Sequence, residues 1–154
     1  MKNIVIRFGI YGFILALVVF LMSLYFGQEL DFSTQELIGY FTMIASLSFV
    51  FFGIKHYRDT IGNGRIGIRR AVLTGLLISA LTGLGIALAD FIYLTWINPD
   101  FFEEYTSIMR SEGYKGEIPD YGNGFMALVM FVTLMMIGLP VSLISAFILA
   151  KKNK

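Results

Sequence analysis

The chain has 154 residues, of which 56% are hydrophobic and 15% are charged, and its mean hydropathy is +0.73. A soluble domain of this length is far less apolar, so the composition excludes that class and predicts an integral membrane protein. The chain has a formal net charge of +1. It contains no cysteine, and this absence excludes a disulfide framework, haem attachment through cysteine and cysteine-ligated zinc.

Four uncharged runs, each about as long as a bilayer crossing requires, predict four spanning helices. The expected fold is an all-α, antiparallel four-helix membrane bundle, formed by one domain over residues 1–154. The helices are placed at about residues 6–28, 34–55, 69–97 and 124–150. The first run resembles a signal peptide, but it lacks a small-residue cleavage site and is expected to be retained. Ser33 and Glu36 match a capping box that would begin the second helix.

The third span carries a predicted packing face and a single acid. Small residues recur at every fourth position, which lets other helix backbones approach closely in lipid; they are Gly75, Ser79, Gly83 and Ala87. Seven residues turn a helix by about 700°, so Asp90 is expected to lie above Gly83 and to point into the protein.

The third connection is the longest soluble stretch, and it predicts a short amphipathic interfacial helix at about residues 99–112. Asn98 is the expected N-cap and Pro99 lies in the first turn. The helix can rest on the outer membrane surface or over the mouth of the bundle, and the sequence leaves both open. In the fourth span, Pro140 predicts a kink.

The charges are segregated along the chain, and this segregation predicts the topology. Ten of the twelve Lys and Arg residues lie at the N-terminus, in the second connection and in the tail, whereas ten of the eleven acids lie on the other side. The positive-inside rule therefore places both termini in the cytoplasm. The tail contributes Lys151, Lys152 and Lys154. Arg65, Arg69 and Arg70 either simply set the topology or contact anionic lipid headgroups specifically.

Several runs resemble a family of small four-helix bacterial membrane proteins, the domain of unknown function 4199. The likeness is carried by residues 49–59 (FVFFGIKHYRD), 75–79 (GLLIS), 98–101 (NPDF) and 142–146 (SLISA), and it extends over essentially the whole chain. The resemblance implies a one-domain protein that crosses the bacterial inner membrane four times. It implies no reaction and no ligand.

Asp90 is the strongest candidate for a functional residue, because an ionisable group within a membrane segment is costly and is usually paired or functional. It forms either a structural pair, with Arg110, Lys115, Tyr121 or Gln28 as the possible partner, or a site for a proton, a cation or a substrate. The candidate intramembrane polar site is Asp90, Arg110 and Tyr121.

No metal site and no cofactor are expected, because the only histidine, His56, has just one nearby carboxylate, on Asp59. No serine has a histidine and an acid to activate it, so an enzyme is not expected either. We expect a non-catalytic accessory, structural or assembly subunit. Its partners would be membrane lipids and a larger membrane protein or further copies of itself, and not nucleic acid. The alternative is an oligomeric transporter of a small solute or ion that uses Asp90.

Overall fold

The computed structural model describes residues 1–150, and all regular secondary structure in this part of the chain is helical, without a strand. The basic tail predicted to face the cytoplasm, Lys151, Lys152 and Lys154, lies outside the described residues. In chain order the helices are α1 (Lys2–Phe26), α2 (Phe32–Ser46), α3 (Ser48–Thr60), α4 (Ile68–Ile92) with a π-helical continuation (Tyr93–Ile97), α5 (Phe101–Ser111) and α6 (Asn123–Leu149).

Four helical stretches are long and apolar enough to cross a membrane, and the protein is a multi-pass membrane protein. They are Lys2–Phe26, Phe32–Thr60, Ile68–Ile97 and Asn123–Leu149. The first begins four residues before the expected start at residue 6, and the second continues five residues past its expected end at residue 55. Both extra turns carry charged side chains, so apolar runs alone could not locate the helix ends.

Helix α4 is the centre of the bundle, because it packs most extensively against α6 and α1. Gly9 of α1 contacts Leu81, and four residues later Phe13 contacts Gly85, so α1 and α4 run in the same direction. On the other interface the order is reversed. Gly75 meets Ser142 and Gly83 meets Leu134, so α4 and α6 run in opposite directions.

Small residues permit these close approaches. A Cβ atom on Gly75 would lie 2.7 Å from the Ser142 Oγ, and a Cβ atom on Gly138 would lie 2.7 Å from the Ser79 Oγ. Each helix therefore places a serine against a glycine of the other. The hydroxyls of Ser79 and Ser142 are buried there without a hydrogen-bond partner among the described residues.

The expected packing face of α4 is only partly the observed one. Gly75, Ser79 and Gly83 are buried, whereas Ala87 is half-buried and Ile86 is completely buried. Four residues turn a helix by about 400°, so a four-residue pattern drifts by about 40° per step and leaves the interface after a few turns.

The second span is interrupted at Leu47, where α2 ends and α3 begins. Helix α3 packs against α1, α4 and α6, but α2 packs mainly against α1. Helix α2 therefore lies at the periphery of the bundle. Pro140, where a kink is expected, lies inside helix α6, and the kink stays a prediction.

Two predicted helix caps are wrong. Asp31, and not Ser33, caps α2, since its carboxylate accepts hydrogen bonds from the Thr34 backbone N–H (3.0 Å) and the Thr34 hydroxyl (2.7 Å). These bonds favour the ionised carboxylate and lower the pKa of Asp31. Helix α5 begins at Phe101, so Asn98 is not its N-cap. A side chain can cap only the helix that starts next to it, and both helices start elsewhere than the sequence pattern predicted.

The two ends of the bundle differ in charge. We call the end that carries α5 and the α2 N-terminus the acidic end, and the end that carries the α3–α4 connection the basic end. At the basic end, Arg65, Arg69 and Arg70 are exposed. The half of the bundle next to the basic end is closed by fully buried residues such as Ile54, Thr74 and Ile78; the hydroxyl of Thr74 is turned to its own helix, donating to the Arg70 carbonyl at 2.8 Å.

Candidate functional site

At the acidic end, the α-helical geometry of α4 ends at Ile92, two residues after Asp90, and a π-helical segment follows. The π-helical segment Tyr93–Ile97 closes with a hydrogen bond from the Asn98 N–H to the Tyr93 carbonyl at 2.8 Å. The Asn123 side chain of α6 donates to the neighbouring Leu94 carbonyl at 3.2 Å. Single π-helical turns occur frequently at functional sites, and Tyr93, the first residue of this one, lines the same cavity as Asp90.

A cavity of about 300 Å³ lies between α2 and α6, beside the end of α4. We call this cavity the cleft. Its lining is largely apolar and includes Phe20, Met43, Met126 and Val129. Asp90 contributes one of the few charged groups in the cleft.

Asp90 is 5% exposed, and its Oδ2 atom has no hydrogen-bond partner among the described residues. The structure does not bring the three candidate polar residues together. Arg110 is exposed on α5, and Tyr121 is 64% exposed and packs its ring on Phe125, with 4.7 Å between the ring centroids. The only salt bridge of the described residues joins Arg58 and Asp59, so Asp90 is a buried carboxylate without an ionic partner there.

A second cavity, of about 340 Å³, lies above the cleft and is lined by polar residues that include Gln28, Asn98 and Glu104. We call it the vestibule. The cleft and the vestibule share four lining residues, namely Phe32, Gln35, Tyr93 and Phe101. The two cavities are therefore neighbours, separated by these side chains.

Helix α5 covers the vestibule through its aromatic face. The Phe101 and Tyr93 rings meet edge to face with centroids 6.1 Å apart, and the Tyr105 and Phe32 rings lie 5.5 Å apart. Asn98 donates to Glu104 at 3.1 Å, which ties the start of α5 to the end of α4. Aromatic side chains of α5 contact the bundle beside the vestibule, while no residue of α5 is buried; its position relative to the membrane surface stays a prediction.

The chain also matches a known protein family. The family model described as "Protein of unknown function (DUF4199)" matches residues 7–151, which is most of the chain. The protein belongs to the DUF4199 family. No significant match was found among the curated proteins or the solved structures.

In this DUF4199 protein the two cavities have a distinct electrostatic character. Their lining includes the carboxylates of Glu36, Asp90 and Glu104, and none of the described lining residues is Lys, Arg or His. The sequence indicated Asp90 but not the cleft itself, because the lining of the cleft comes from α1, α2, α4, α5 and α6 together.

Other candidate ligands in the DUF4199 chain do not converge. The ring of His56 packs against Phe8, with 5.4 Å between the centroids. Within residues 1–150, no three His, Cys, Asp or Glu side chains are grouped so that they could hold a metal ion. The arrangement has the chemistry of a ligand-binding site, with an apolar wall, several aromatic rings and one buried carboxylate.

Proposed function

We propose that this protein is a non-catalytic accessory subunit of a larger assembly in the bacterial inner membrane. In this proposal the bundle is antiparallel, both termini face the cytoplasm and the acidic end faces outward, because Arg and Lys are concentrated at the basic end. Helix α5 then lies at the outer interface, where Trp96, an exposed aromatic residue next to it, suits the headgroup region.

One observation carries the proposal: both cavities lie at the acidic end, while the other half of the bundle is closed. Leu47, Ile54 and Ile78 are completely buried between the cleft and the basic end. The Ser46 hydroxyl in this region donates to the Thr42 carbonyl of its own helix at 2.9 Å, and the hydroxyls of Ser79 and Ser142 are buried there without a partner among the described residues. A chain with a recess at one end and a closed other half is suited to binding and less suited to conducting a solute.

Native mass spectrometry of the tagged protein, expressed at its natural level and extracted in a mild detergent, tests this proposal. The expected result is a particle that contains a second membrane protein in fixed stoichiometry with the 17.3 kDa chain. An unrelated membrane protein with the same tag, prepared from the same cells, controls for non-specific capture. A particle whose mass is an integral multiple of the chain mass would contradict the accessory role.

The burial of Asp90 without a partner favours a second candidate, an oligomeric transporter of a small solute or ion. In that case several copies would have to complete a path that one chain does not contain. The transporter is supported if the purified protein is a homo-oligomer and gives proteoliposomes an uptake activity that Asp90→Asn abolishes.

A further inference from the structure

The starting point is a carboxylate that has no partner in a largely apolar space. Asp90 is 95% buried, its Oδ2 atom lacks a hydrogen bond among the described residues, and it lines the cleft. Burying a charge without a partner is unfavourable, so an acid at this position is a candidate for a functional site, and a bound cation would supply the missing partner.

The charges around the cleft select the sign of that ligand. Glu36 lines the cleft together with Asp90, and Glu104 lines the vestibule above it. No described lining residue of either cavity is Lys, Arg or His to balance these carboxylates. Carboxylates with low-dielectric walls concentrate cations, and the field is strongest where water is excluded.

The rest of the lining selects an organic cation over a metal ion. Calcium and magnesium require about six or more oxygen ligands, whereas the walls around Asp90 consist mainly of hydrocarbon and rings. Phe32, Tyr93 and Phe101 separate the cleft from the vestibule, and aromatic faces attract ammonium groups. A volume of about 300 Å³ lies at the small end of ligand pockets, which suits one small molecule.

We propose that the cleft binds a small organic cation with an apolar body, whose ammonium group lies against the Asp90 carboxylate and whose body packs on α2 and α6. The vestibule is the route from the outer solution. This binding site goes beyond the accessory role, and its occupancy requires neither a partner protein nor transport.

Two ligands of nearly the same shape test the charge requirement. Benzyltrimethylammonium is the cation, and neopentylbenzene is its neutral counterpart with carbon in place of nitrogen. Binding is measured by calorimetry with the full-length protein in lipid nanodiscs, and empty nanodiscs are subtracted. Asp90→Asn should lower the affinity for benzyltrimethylammonium at least about tenfold, because removing one partner of a buried charge pair causes one of the larger losses in binding free energy. Neopentylbenzene should be affected less than about twofold.

Two further variants separate the role of charge from that of shape. Glu117→Gln removes an exposed acid of the α5–α6 connection that lines neither cavity, and it should leave binding of both ligands unchanged. Val129→Trp narrows the cleft without changing its charge and should weaken the binding of both ligands. Thermal unfolding checks that each variant is folded.

Three results would overturn the proposal. One is equal affinity for benzyltrimethylammonium in the wild type and in folded Asp90→Asn, and another is unchanged binding in folded Val129→Trp. The third is saturable sodium binding by a protein that does not bind the ammonium probe. These results do not bear on the accessory role, which is tested independently by the mass of the native particle.

Discussion

Replacing Gly85 by alanine should destabilise the protein by about 3 kcal/mol and lower its unfolding midpoint by about 6–12 °C. The reason is the contact between α4 and α1. A Cβ atom on Gly85 would lie 2.5 Å from the Phe13 carbonyl oxygen and 3.0 Å from the Phe13 Cα. These are backbone atoms, so they cannot rotate away as a side chain can, and the two helices must move apart.

Gly124→Ala is the matched control, since this glycine also lies in a helix but has open space around the position of a Cβ atom. Alanine favours a helix over glycine by about 1 kcal/mol, so the control should be as stable as the wild type or slightly more stable. Both proteins are compared by thermal unfolding in the same detergent. Wild-type stability of Gly85→Ala would show that α1 and α4 do not approach as closely as described.

Asp90→Leu should give a protein that is more stable than the wild type by about 1–3 kcal/mol, because it removes a buried carboxylate that has no hydrogen-bond partner on Oδ2. The side chain faces the cleft, which has room for the larger residue. The measurement is unfolding by heat or denaturant in one detergent. A functional residue can be destabilising in this way, since binding residues are selected for the ligand and not for the fold.

Asp90→Asn keeps the shape of the side chain and should also fold, whereas Glu117→Gln, at the exposed control position, should leave stability unchanged. The opposite outcome for Asp90, a large loss of stability or of folded protein in both variants, would mean that the carboxylate has a structural partner. Among the described residues no such partner is present.

The membrane spans could be predicted from the sequence because each depends on one long uncharged run. The burial of Asp90 was predictable for a similar reason, since a spacing of seven residues places it on the same helix face as Gly83. Both inferences use only local geometry. The same four-residue rule was less accurate for Ala87, because small angular errors add along a helix.

The cleft was not predictable, because its causes are tertiary. Leu47 favours helix formation, so nothing local predicts that the second span is interrupted there. Pro140 carries the usual signal for a kink, and it lies inside helix α6. Likewise, Asn98 is a residue type that often caps helices, but its side chain donates a hydrogen bond to Glu104 instead. This contact depends on where α5 lies.

In the proposed orientation, the cleft opens toward the outside and is closed toward the cytoplasm. Because the chain contains no cysteine, a single cysteine can be placed without background. Thr133→Cys places a cysteine in the lining of the cleft, and Ser46→Cys places one in the closed region, where Ser46 is completely buried. The probe is a membrane-impermeant, positively charged methanethiosulfonate reagent, applied to intact spheroplasts or to inside-out vesicles.

Thr133→Cys should react when the reagent is added from outside, benzyltrimethylammonium should slow that reaction, and Ser46→Cys should not react from either side. Reaction of Thr133→Cys from the cytoplasmic side alone, or equal reaction of both cysteines, would contradict an outward-open cleft.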